Sequence, residues 1–580
     1  MRLPVDLRPL HAAVFAAATL PALLAFNQAP SPTFLNQALA FLTWGWVALA
    51  VALESGLPSL RAPDIRGSAA ALAALAIVGL SAASASVIGE LPSSLGLSGV
   101  GSMVAAAVLV LAGVAASRGP AATATFTALC VAWVASGLLN TGIGAIQVFA
   151  PSIPDGDWIA RSSIAGRAVG NLRQPNHLNS LLFWAVIALV GLLELRKVTW
   201  RLAAVLMATL IFGVVLTASR TGVLGVVLLA AWAAVDRRLA HGTRGLLVCS
   251  PLIYAAGWGL MAAWARLAQA TFGGEQRLAE ADLSSSRFAI WSDTLALIRD
   301  HPWAGVGFGD FNFAWSLSVL PHRPTAFFDH SHNLLLQLAV ELGLPLAAIV
   351  ITLLSVALWR GVARGRLSQG SESLTARCSS AMVVLIGLHS LLEYPLWYSY
   401  FLLPTAFFVG LAAGPAGELA DRPDARIHRR PLIAAALALI VGALAAIVDY
   451  KRVVDIFATG DGTATLQSRI ERGRHSLLFA HHAEYAAATV AEDPALELRA
   501  FGQAAHHLID TRLMMGWAQA YARSGDADRA AFLVQRLREF RNPQSAAFLA
   551  QCEATAPLSA ADRPFQCRPS EAQLDWRDFR

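Results

Sequence analysis

The sequence has 580 residues, of which 56% are hydrophobic and 14% are charged, and its mean hydropathy is +0.54. Soluble domains carry about 25% charged residues, so this composition excludes a purely soluble chain. The net charge of +6 comes from Lys and Arg spread over alternate loops between apolar runs. That spacing is typical of cytoplasmic loops in membrane proteins and gives no reason to expect a nucleic-acid partner.

The apolar runs predict an all-α, polytopic membrane helix bundle in a lipid bilayer, occupying residues 1–448. A hydrocarbon core about 30 Å thick needs about 20 apolar helical residues, so we expect about 12–14 spans. The runs are Leu10–Phe26, Ala38–Leu53, Ala69–Val87, Met103–Ala116, Phe126–Phe149, Leu178–Leu195, Leu202–Leu216, Val223–Val235, Leu246–Trp264, Leu334–Trp359, Met382–Leu392, Leu396–Ala413 and Leu432–Val448.

The alternation of basic loops predicts which other loops face outward. These are residues 150–177, the turn 219–221, a long loop at about 265–331 and the turn 393–398. The long loop is rich in aromatic residues and contains a helical stretch at Ser286–Arg299. Long loops of this kind are usually functional or disordered, and we expect this one to be folded and catalytic.

A C-terminal soluble helical domain is predicted for residues 449–580, on the outer face if the span count is odd. Within it, Met515–Phe540 has the pattern of a helical hairpin with a turn at Ser524–Asp526, and resembles one tetratricopeptide-type unit. Generic helices would explain the pattern equally well. Cys552 and Cys567 could form a disulfide if this domain lies in an oxidising compartment.

The first outward polar cluster is the segment 170–177, which includes Arg173, Gln174, Asn176 and His177. A guanidinium with several amide and imidazole groups suits a phosphate or carboxylate. The alternative is a simple helix start, with Asn176 as cap and Arg173 reaching the membrane surface.

Two further segments carry arginines with the same chemistry. Arg220 lies in the short turn 219–222 beside a helix start, where helix N–H groups and a guanidinium together favour an anion, although lipid headgroups could also hold it. Arg287 in segment 284–291 would be an ordinary exposed arginine alone, but with Arg220 it could clamp a phosphate. Glu393 could line the same site or simply belong to an aromatic-belt turn.

The fourth cluster is Asp329-His330-Ser331-His332-Asn333, just before an apolar run. A histidine there can take a proton from a hydroxyl near neutral pH, and Asp329 or Asn333 could orient its imidazole. The alternative is helix capping by Asp329 or Ser331. A metal site built on His330 and His332 lacks an evident further ligand.

Together these segments resemble the bacterial O-antigen ligase and polymerase superfamily, and most closely its pilin-type O-oligosaccharyltransferase branch. The motifs that carry the resemblance are GNLRQPNHL (170–178), SRTG (219–222), SSSRFAIW (284–291), DHSHNLLLQLAVELGLP (329–345) and EYPLWYSYFLLP (393–404).

The resemblance implies an enzyme of the bacterial inner membrane with a periplasmic active site. The donor would be an undecaprenyl-pyrophosphate-linked oligosaccharide, and the acceptor a Ser or Thr hydroxyl of a pilin-like periplasmic protein. It implies His332 as the essential histidine and Arg220 and Arg287 as ligands of the donor pyrophosphate, with Arg173 as a further candidate, and it implies no metal and no cofactor. The possible supporting residues are Asp329, His330, Asn333, Gln174, Asn176, His177 and Glu393.

Other functions remain open from the sequence. A ligase would use lipid A core as acceptor, and a polymerase would extend the glycan itself. A transporter or flippase predicts ionisable residues at mid-membrane depth, whereas here they gather at one face. A membrane scaffold that recruits partners through its tail would leave Arg220 and His332 unexplained.

Overall fold

The computed structural model describes residues 9–54, 66–118, 121–275, 283–320, 323–414, 429–458, 464–554, 559, 562–570 and 572–580. Within these ranges the regular structure is helical and contains no strand, which confirms the predicted all-α class. The α-helices are α1 Pro9–Leu23, α2 Phe34–Leu53, α3 Ala69–Val87, α4 Ser93–Ala116, α5 Ala122–Phe149, α6 Pro175–Glu194, α7 Trp200–Leu216, α8 Arg220–Val235, α9 His241–Val248, α10 Ser250–Ala268, α11 Leu283–Asp300, α12 Phe311–Leu317, α13 Leu334–Leu342, α14 Leu344–Leu367, α15 Gly370–Ser390, α16 Ser399–Ala413, α17 Arg429–Phe457, α18 Leu466–Arg474, α19 Ala480–Val490, α20 Leu498–Ala505, α21 Thr511–Ser524, α22 Ala527–Phe540 and α23 Ala546–Ala554.

Eight helices in the described part of the chain are long and apolar enough to cross a membrane, so the protein is a multi-pass membrane protein. Fewer helices meet this criterion than the expected 12–14. Four of the predicted runs form the shorter apolar helices α1, α7, α8 and α16, which have 15 to 17 residues. A fifth run, Met382–Leu392, falls largely in α15, which is not among the eight. At 1.5 Å per residue, 17 residues extend about 25 Å, which is short of the roughly 30 Å hydrocarbon core.

The run Leu334–Trp359 was expected to form one span, and this prediction is wrong. Helix α13 ends at Leu342, and α14 begins immediately after Gly343, whose φ of +76° no helical residue adopts. A neighbouring loop satisfies the exposed end of α13, with Val306 N–H donating to the carbonyl of Val340 at 2.8 Å. The long apolar helix is therefore α14, and α13 is a separate short helix before it.

The chain divides into two compact units. The first, which we call the membrane unit, comprises Met1–Ala76, Val104–Ala281 and Thr352–Ala445. The second, the loop–tail unit, comprises Ile77–Met103, Asp282–Ile351 and Ala446–Arg580. Most of the predicted outward loop and the predicted C-terminal domain thus share one unit. The domain division at residue 448 stays a prediction.

Aromatic packing fills the core of the membrane unit. Trp184 on α6 is fully buried and meets Trp133 edge-on, with ring centroids 4.9 Å apart. Phe408 on α16 packs against the same indole at 5.4 Å. Helix α6 is buried on nearly all sides, which explains why its run is hydrophobic all round.

The core of the loop–tail unit joins the loop to the C-terminal helices. The guanidinium of Arg323 lies 4.9 Å from the ring centre of Trp315 and 4.6 Å from that of Phe540, and it forms an ion pair with Glu539 at 3.3 Å. Its Nη1 also donates to the Trp315 carbonyl at 2.7 Å. A buried arginine with this many partners fixes the loop on the tail.

A second buried connection in this unit centres on Asp310, which precedes α12. One carboxylate oxygen lies 2.6 Å from His506 Nδ1, and the other accepts from Arg580 at 2.7 Å. The ring of Phe313 stacks on His506 with centroids 4.5 Å apart. Arg580 and His506 of the tail therefore both bind the loop at Asp310.

The predicted helical hairpin is present as α21 and α22. Gly525, with φ +89°, ends α21, and Asp526 caps α22 by accepting from the Arg529 N–H at 3.0 Å. Further along the tail, Cys552 and Cys567 form a disulfide. The sequence analysis allowed this pairing if the tail lies in an oxidising compartment, where disulfides persist; the location of the tail stays a prediction.

Candidate active site

The segment before α6 is held by buried amide side chains of the membrane unit. Gln147 Oε1 accepts from the N–H groups of Val169 and Gly170, each at 2.9 Å. Asn171 donates to the Leu23 carbonyl at 2.6 Å. These contacts satisfy the backbone of an irregular segment that would otherwise carry costly unpaired groups.

Arg173 has a structural partner that the sequence did not reveal. Its Nη2 donates to the carbonyl of Ala25 and, at 3.5 Å, to that of Gly156. Its Nη1 is buried and has no hydrogen-bond partner among the described residues. The guanidinium thus anchors backbone, and its predicted contact with pyrophosphate stays a prediction.

Gln174 and His177 organise the start of α6. The side chain of Gln174 caps the helix by accepting from the His177 N–H at 2.7 Å, so the alternative reading in which Asn176 is the cap is wrong. His177 is buried, with Nδ1 3.1 Å from the Tyr400 hydroxyl and its ring 4.5 Å from that of Tyr398. Gln174 therefore supports the backbone at the start of α6, and the His177 ring packs among tyrosine side chains.

Asn176 joins three of the sequence motifs into one hydrogen-bond network. Its Nδ2 donates to Glu393 Oε1 at 2.9 Å, and its Oδ1 accepts from Ser219 Oγ at 2.5 Å. Thr221 lies 2.6 Å from Ser219, oxygen to oxygen, and accepts from Asn179 at 2.8 Å. Glu393 thus lies beside the SRTG turn.

Arg220 is the first residue of α8 and its side chain is exposed. Ser219 caps this helix by accepting from the Thr221 N–H at 3.2 Å. The network around Asn176 fixes the cap, so the guanidinium projects from a positioned helix N-terminus. The partial positive charge of that terminus and the arginine favour the same ligand, an anion.

His332 lies in the loop–tail unit, directly before α13. Its backbone is left-handed, with φ +54°, and its ring meets Phe328 edge-on with centroids 5.6 Å apart. Asn333 caps α13 by accepting from Leu335 N–H at 3.0 Å and from Leu336 N–H at 3.2 Å. The cap is therefore Asn333, and the alternative reading, capping by Asp329 or Ser331, is wrong.

Asp329 pairs with His330, whose Nδ1 is 3.1 Å from the Asp329 carboxylate. Desolvation raises the pKa of Asp329, but the charge and hydrogen bond of His330 outweigh it and lower the pKa to about 2. Asp329 is thus ionised at every physiological pH. The group of metal-ligating side chains found in the described part of the chain does not include His330 or His332.

Arg287 and Trp291 lie one turn apart on the same face of α11. Trp291 Nε1 donates to the carbonyl of Ser331 at 3.0 Å, so this face of α11 is turned toward the segment that carries His332. The side chains of Ser284–Ser286, which belong to the same motif, lie outside the described residues.

Two residues that the sequence analysis did not identify, Gln337 and Glu341, hold the backbone next to His332. Gln337 accepts from the Ser331 N–H at 2.8 Å and donates to Glu341 at 2.9 Å. Burial raises the pKa of Glu341 to about 7, against the hydrogen bond from Gln337. Two polar side chains four residues apart in an apolar run are the signal that could have identified them.

One backbone feature recurs at three of the sequence motifs. Arg173, Ala218 and His332 have φ between 47° and 58°, and each directly precedes the N-cap residue of α6, α8 or α13. Non-glycine residues adopt this conformation rarely, and such residues concentrate at functional sites.

The structure places the predicted residues in two groups and leaves their mutual arrangement a prediction. The membrane unit holds Arg173, Gln174, Asn176, His177, Arg220 and Glu393, and the loop–tail unit holds Arg287, Asp329, His330, His332 and Asn333.

Comparison with protein families defines the class. Residues 202–351 match a family described as O-Antigen ligase, and residues 168–193 match one described as Protein glycosylation ligase. Residues 378–556 match the C-terminal region of a family described as Virulence factor membrane-bound polymerase. These matches confirm the resemblance to the O-antigen ligase superfamily, and they cover every candidate residue.

Two relatives from Acinetobacter baylyi (strain ATCC 33305 / BD413 / ADP1) point to one branch of this class. The chain is 28% identical to a "General O-oligosaccharyltransferase" over 253 residues, or 42% of this chain and 43% of the relative. It is 28% identical to a "ComP-specific O-oligosaccharyltransferase" over 265 residues, or 44% and 45% respectively. The matches thus span less than half of the length of either relative.

Proposed function

We propose that this protein is an O-linked oligosaccharyltransferase. It moves a glycan from undecaprenyl pyrophosphate to a Ser or Thr hydroxyl of a periplasmic protein such as a pilin. The observation that carries the proposal is that Arg220, Arg287 and His332 all fall inside the segment matched by the O-antigen ligase family. Two of them, Arg220 and His332, also lie at helix starts of unusual backbone geometry.

The donor half of the reaction needs positive charge. When the bond between the anomeric carbon and the pyrophosphate oxygen breaks, the electron pair leaves with the lipid pyrophosphate. Arg220 and Arg287 neutralise that charge, and the N-terminus of α8 adds to the field. Groups that are already oriented stabilise the developing charge without reorganising, so the Asn176 network contributes by holding the SRTG turn.

The acceptor half needs a base. His332 takes the proton of the Ser or Thr hydroxyl as its oxygen attacks the anomeric carbon, and direct displacement inverts that centre. The left-handed backbone at His332 and the cap at Asn333 set the direction in which the His332 side chain leaves the backbone. Asp329 and His330 form the adjacent pair, and as a permanent carboxylate Asp329 favours the protonated base that forms beside it.

A protein acceptor is favoured over lipid A core by the match of residues 168–193 to the Protein glycosylation ligase family. This segment contains Arg173, Gln174, Asn176 and His177, which anchor the start of α6. The disulfide in the tail favours a periplasmic location for that part of the chain. The corresponding membrane is the bacterial inner membrane.

The proposal is tested by identifying the molecule to which the glycan becomes attached. The chain is expressed in a ligase-deficient bacterium with a lipid-linked glycan pathway and a pilin-like acceptor, and glycan is measured on the pilin and on lipid A core. The proposal predicts glycan on the pilin. Glycan only on lipid A core would assign the protein to the ligases, and lengthened lipid-linked glycans alone would assign it to the polymerases.

Arg220→Ala with Arg237→Ala as matched control separates donor binding from general damage. Both arginines are exposed, and Arg237 lies just beyond the other end of α8. Loss of one preorganised charge-stabilising group costs about 10²–10³-fold in rate, so we expect that loss for Arg220→Ala and near wild-type transfer for Arg237→Ala. Equal effects of the two substitutions would contradict the assignment.

A further inference from the structure

Three histidines of the tail lie close together in space, although His507 follows the adjacent pair His481 and His482 by 25 residues in the chain. His481 and His482 open α19, and His507 follows the end of α20. The ring centroids lie 4.2 to 4.6 Å from one another. One ligand nitrogen from each of the three lies within 4.8 Å of the others.

This spacing is close to that of a metal site. Three nitrogens bound to one tetrahedral zinc at about 2.0–2.1 Å lie about 3.3 Å from one another, so small side-chain rotations bring these three onto one ion. Imidazole nitrogens suit zinc and neighbouring transition metals rather than Mg²⁺ or Ca²⁺. Purely aromatic packing would not require three imidazoles with their nitrogens converging.

A supporting hydrogen bond points the same way. His481 is buried, and its Nδ1 lies 3.0 Å from the hydroxyl of Ser94, which is also buried at the start of α4. In the tautomer whose Nδ1–H donates to Ser94, Nε2 keeps a lone pair for a metal. Histidine ligands almost always have such a partner on the second nitrogen.

The protonation state and the surroundings also suit a cation. Imidazole binds metal in its neutral form, which already predominates at pH 7 for a histidine of ordinary pKa, about 6.5. The carboxylate of Asp329 acts electrostatically on His507, which places a negative charge near the cluster. Asp329 belongs to the same segment as His332.

We propose that His481, His482 and His507 bind one divalent transition-metal ion of the zinc type, which fastens the α19–α20 region of the tail beside the segment that carries Asp329. The site is structural, and no motif identified in the sequence includes it. The inference does not depend on the proposed transfer activity, because it concerns folding and metal content alone.

Metal content tests the proposal directly. The full-length protein, purified in detergent without a histidine tag and stripped with a chelator, is titrated with Zn²⁺ and its bound metal measured by mass spectrometry. We expect one Zn²⁺ per chain. His482→Ala and His507→Ala should each lose it, whereas His475→Ala, an exposed histidine of the same tail, should keep it.

A further variant distinguishes loss of a metal ligand from misfolding. Ser94→Ala removes only the partner of His481 and should weaken Zn²⁺ affinity about 10–100-fold with the stoichiometry unchanged. Tail resistance to protease should rise with Zn²⁺ in wild type and in His475→Ala but not in His507→Ala. Absence of Zn²⁺ binding by wild type, or retention of it by both His482→Ala and His507→Ala, would overturn the proposal.

Discussion

Replacing Asp310 by alanine should separate the long loop from the C-terminal tail within the loop–tail unit. The carboxylate is only 4% exposed and contacts two residues of the tail, His506 at 2.6 Å and Arg580 at 2.7 Å. The substitution leaves both partners facing a buried space. The arginine is 27% exposed and can turn to solvent, whereas His506 is 2% exposed and cannot.

The magnitude follows from the burial of this cluster. Removing one partner of a buried pair costs about 3–5 kcal/mol. Partial exposure of Arg580 places the estimate at the lower end, about 3 kcal/mol. Since each 1.4 kcal/mol is tenfold, the equilibrium for opening this contact should shift by about 100-fold. Asp300→Ala is the matched control, because Asp300 is 56% exposed and pairs with an exposed arginine, a contact worth about 0–1 kcal/mol.

Limited proteolysis of the purified full-length protein measures this difference. Cleavage that requires opening of the tail follows the open population, so Asp310→Ala should be cut about 100-fold faster than wild type, and Asp300→Ala less than about fivefold faster. Asp310→Asn, which keeps one acceptor oxygen, should lie between them. Cleavage rates for Asp310→Ala and Asp300→Ala that agree within twofold would refute the reasoning.

Three other predictions follow from the same contacts. Gly343→Ala should destabilise the protein by at least about 1–3 kcal/mol in thermal unfolding, because φ is positive there and an added Cβ would also lie 2.3 Å from a backbone oxygen. Gly370→Ala is the matched control, because Gly370 also has a positive φ, +57°, but open space around an added Cβ, so it should destabilise less; equal shifts would contradict this. The pKa of Glu341 in the folded protein is raised to about 7 from 4.5. The stability that its protonated carboxyl contributes is therefore fully present below pH 4.5 and is lost as the pH rises through 7. Wild type should therefore lose about 3 kcal/mol between pH 4.5 and 7 relative to Glu341→Gln, and parallel pH profiles would refute the burial argument. Cys567→Ser should weaken the tail by about 3 kcal/mol and abolish the mobility shift on reduction, because Cys552 and Cys567 close a loop with a sequence separation of 15; an unchanged gel pattern would exclude the disulfide in cells.

The sequence predicted the fold class because apolar runs and their lengths are local properties. The helical stretch of the loop and the hairpin of the tail were also recognisable, since period and turn residues mark them. The break at Gly343 was missed because the apolar run continues across it. The end of α13 is stabilised by a loop distant in sequence, whose Val306 N–H donates to the Val340 carbonyl.

The position of two candidate residues at helix starts was predicted for the same reason, whereas their roles stay predictions. Arg220 and His332 lie at helix starts whose capping residues are adjacent in sequence. The partners of Arg173 are backbone carbonyls, which carry no sequence signal, so its anchoring role could not be foreseen. The histidine cluster of the tail could not be predicted from the sequence, because His507 lies near His481 and His482 only once two helices pack together.

The rate of glycan transfer by His332→Ala tests the central claim most directly. Purified wild type and variants are given a lipid-pyrophosphate-linked oligosaccharide and a pilin-like acceptor, with His241→Ala, an exposed histidine at the start of α9, as control. Loss of a general base costs about 10²–10⁴-fold, so His332→Ala should fall by at least about 100-fold while its thermal unfolding matches wild type and His241→Ala transfers normally. Transfer by a folded His332→Ala within twofold of wild type would contradict the account.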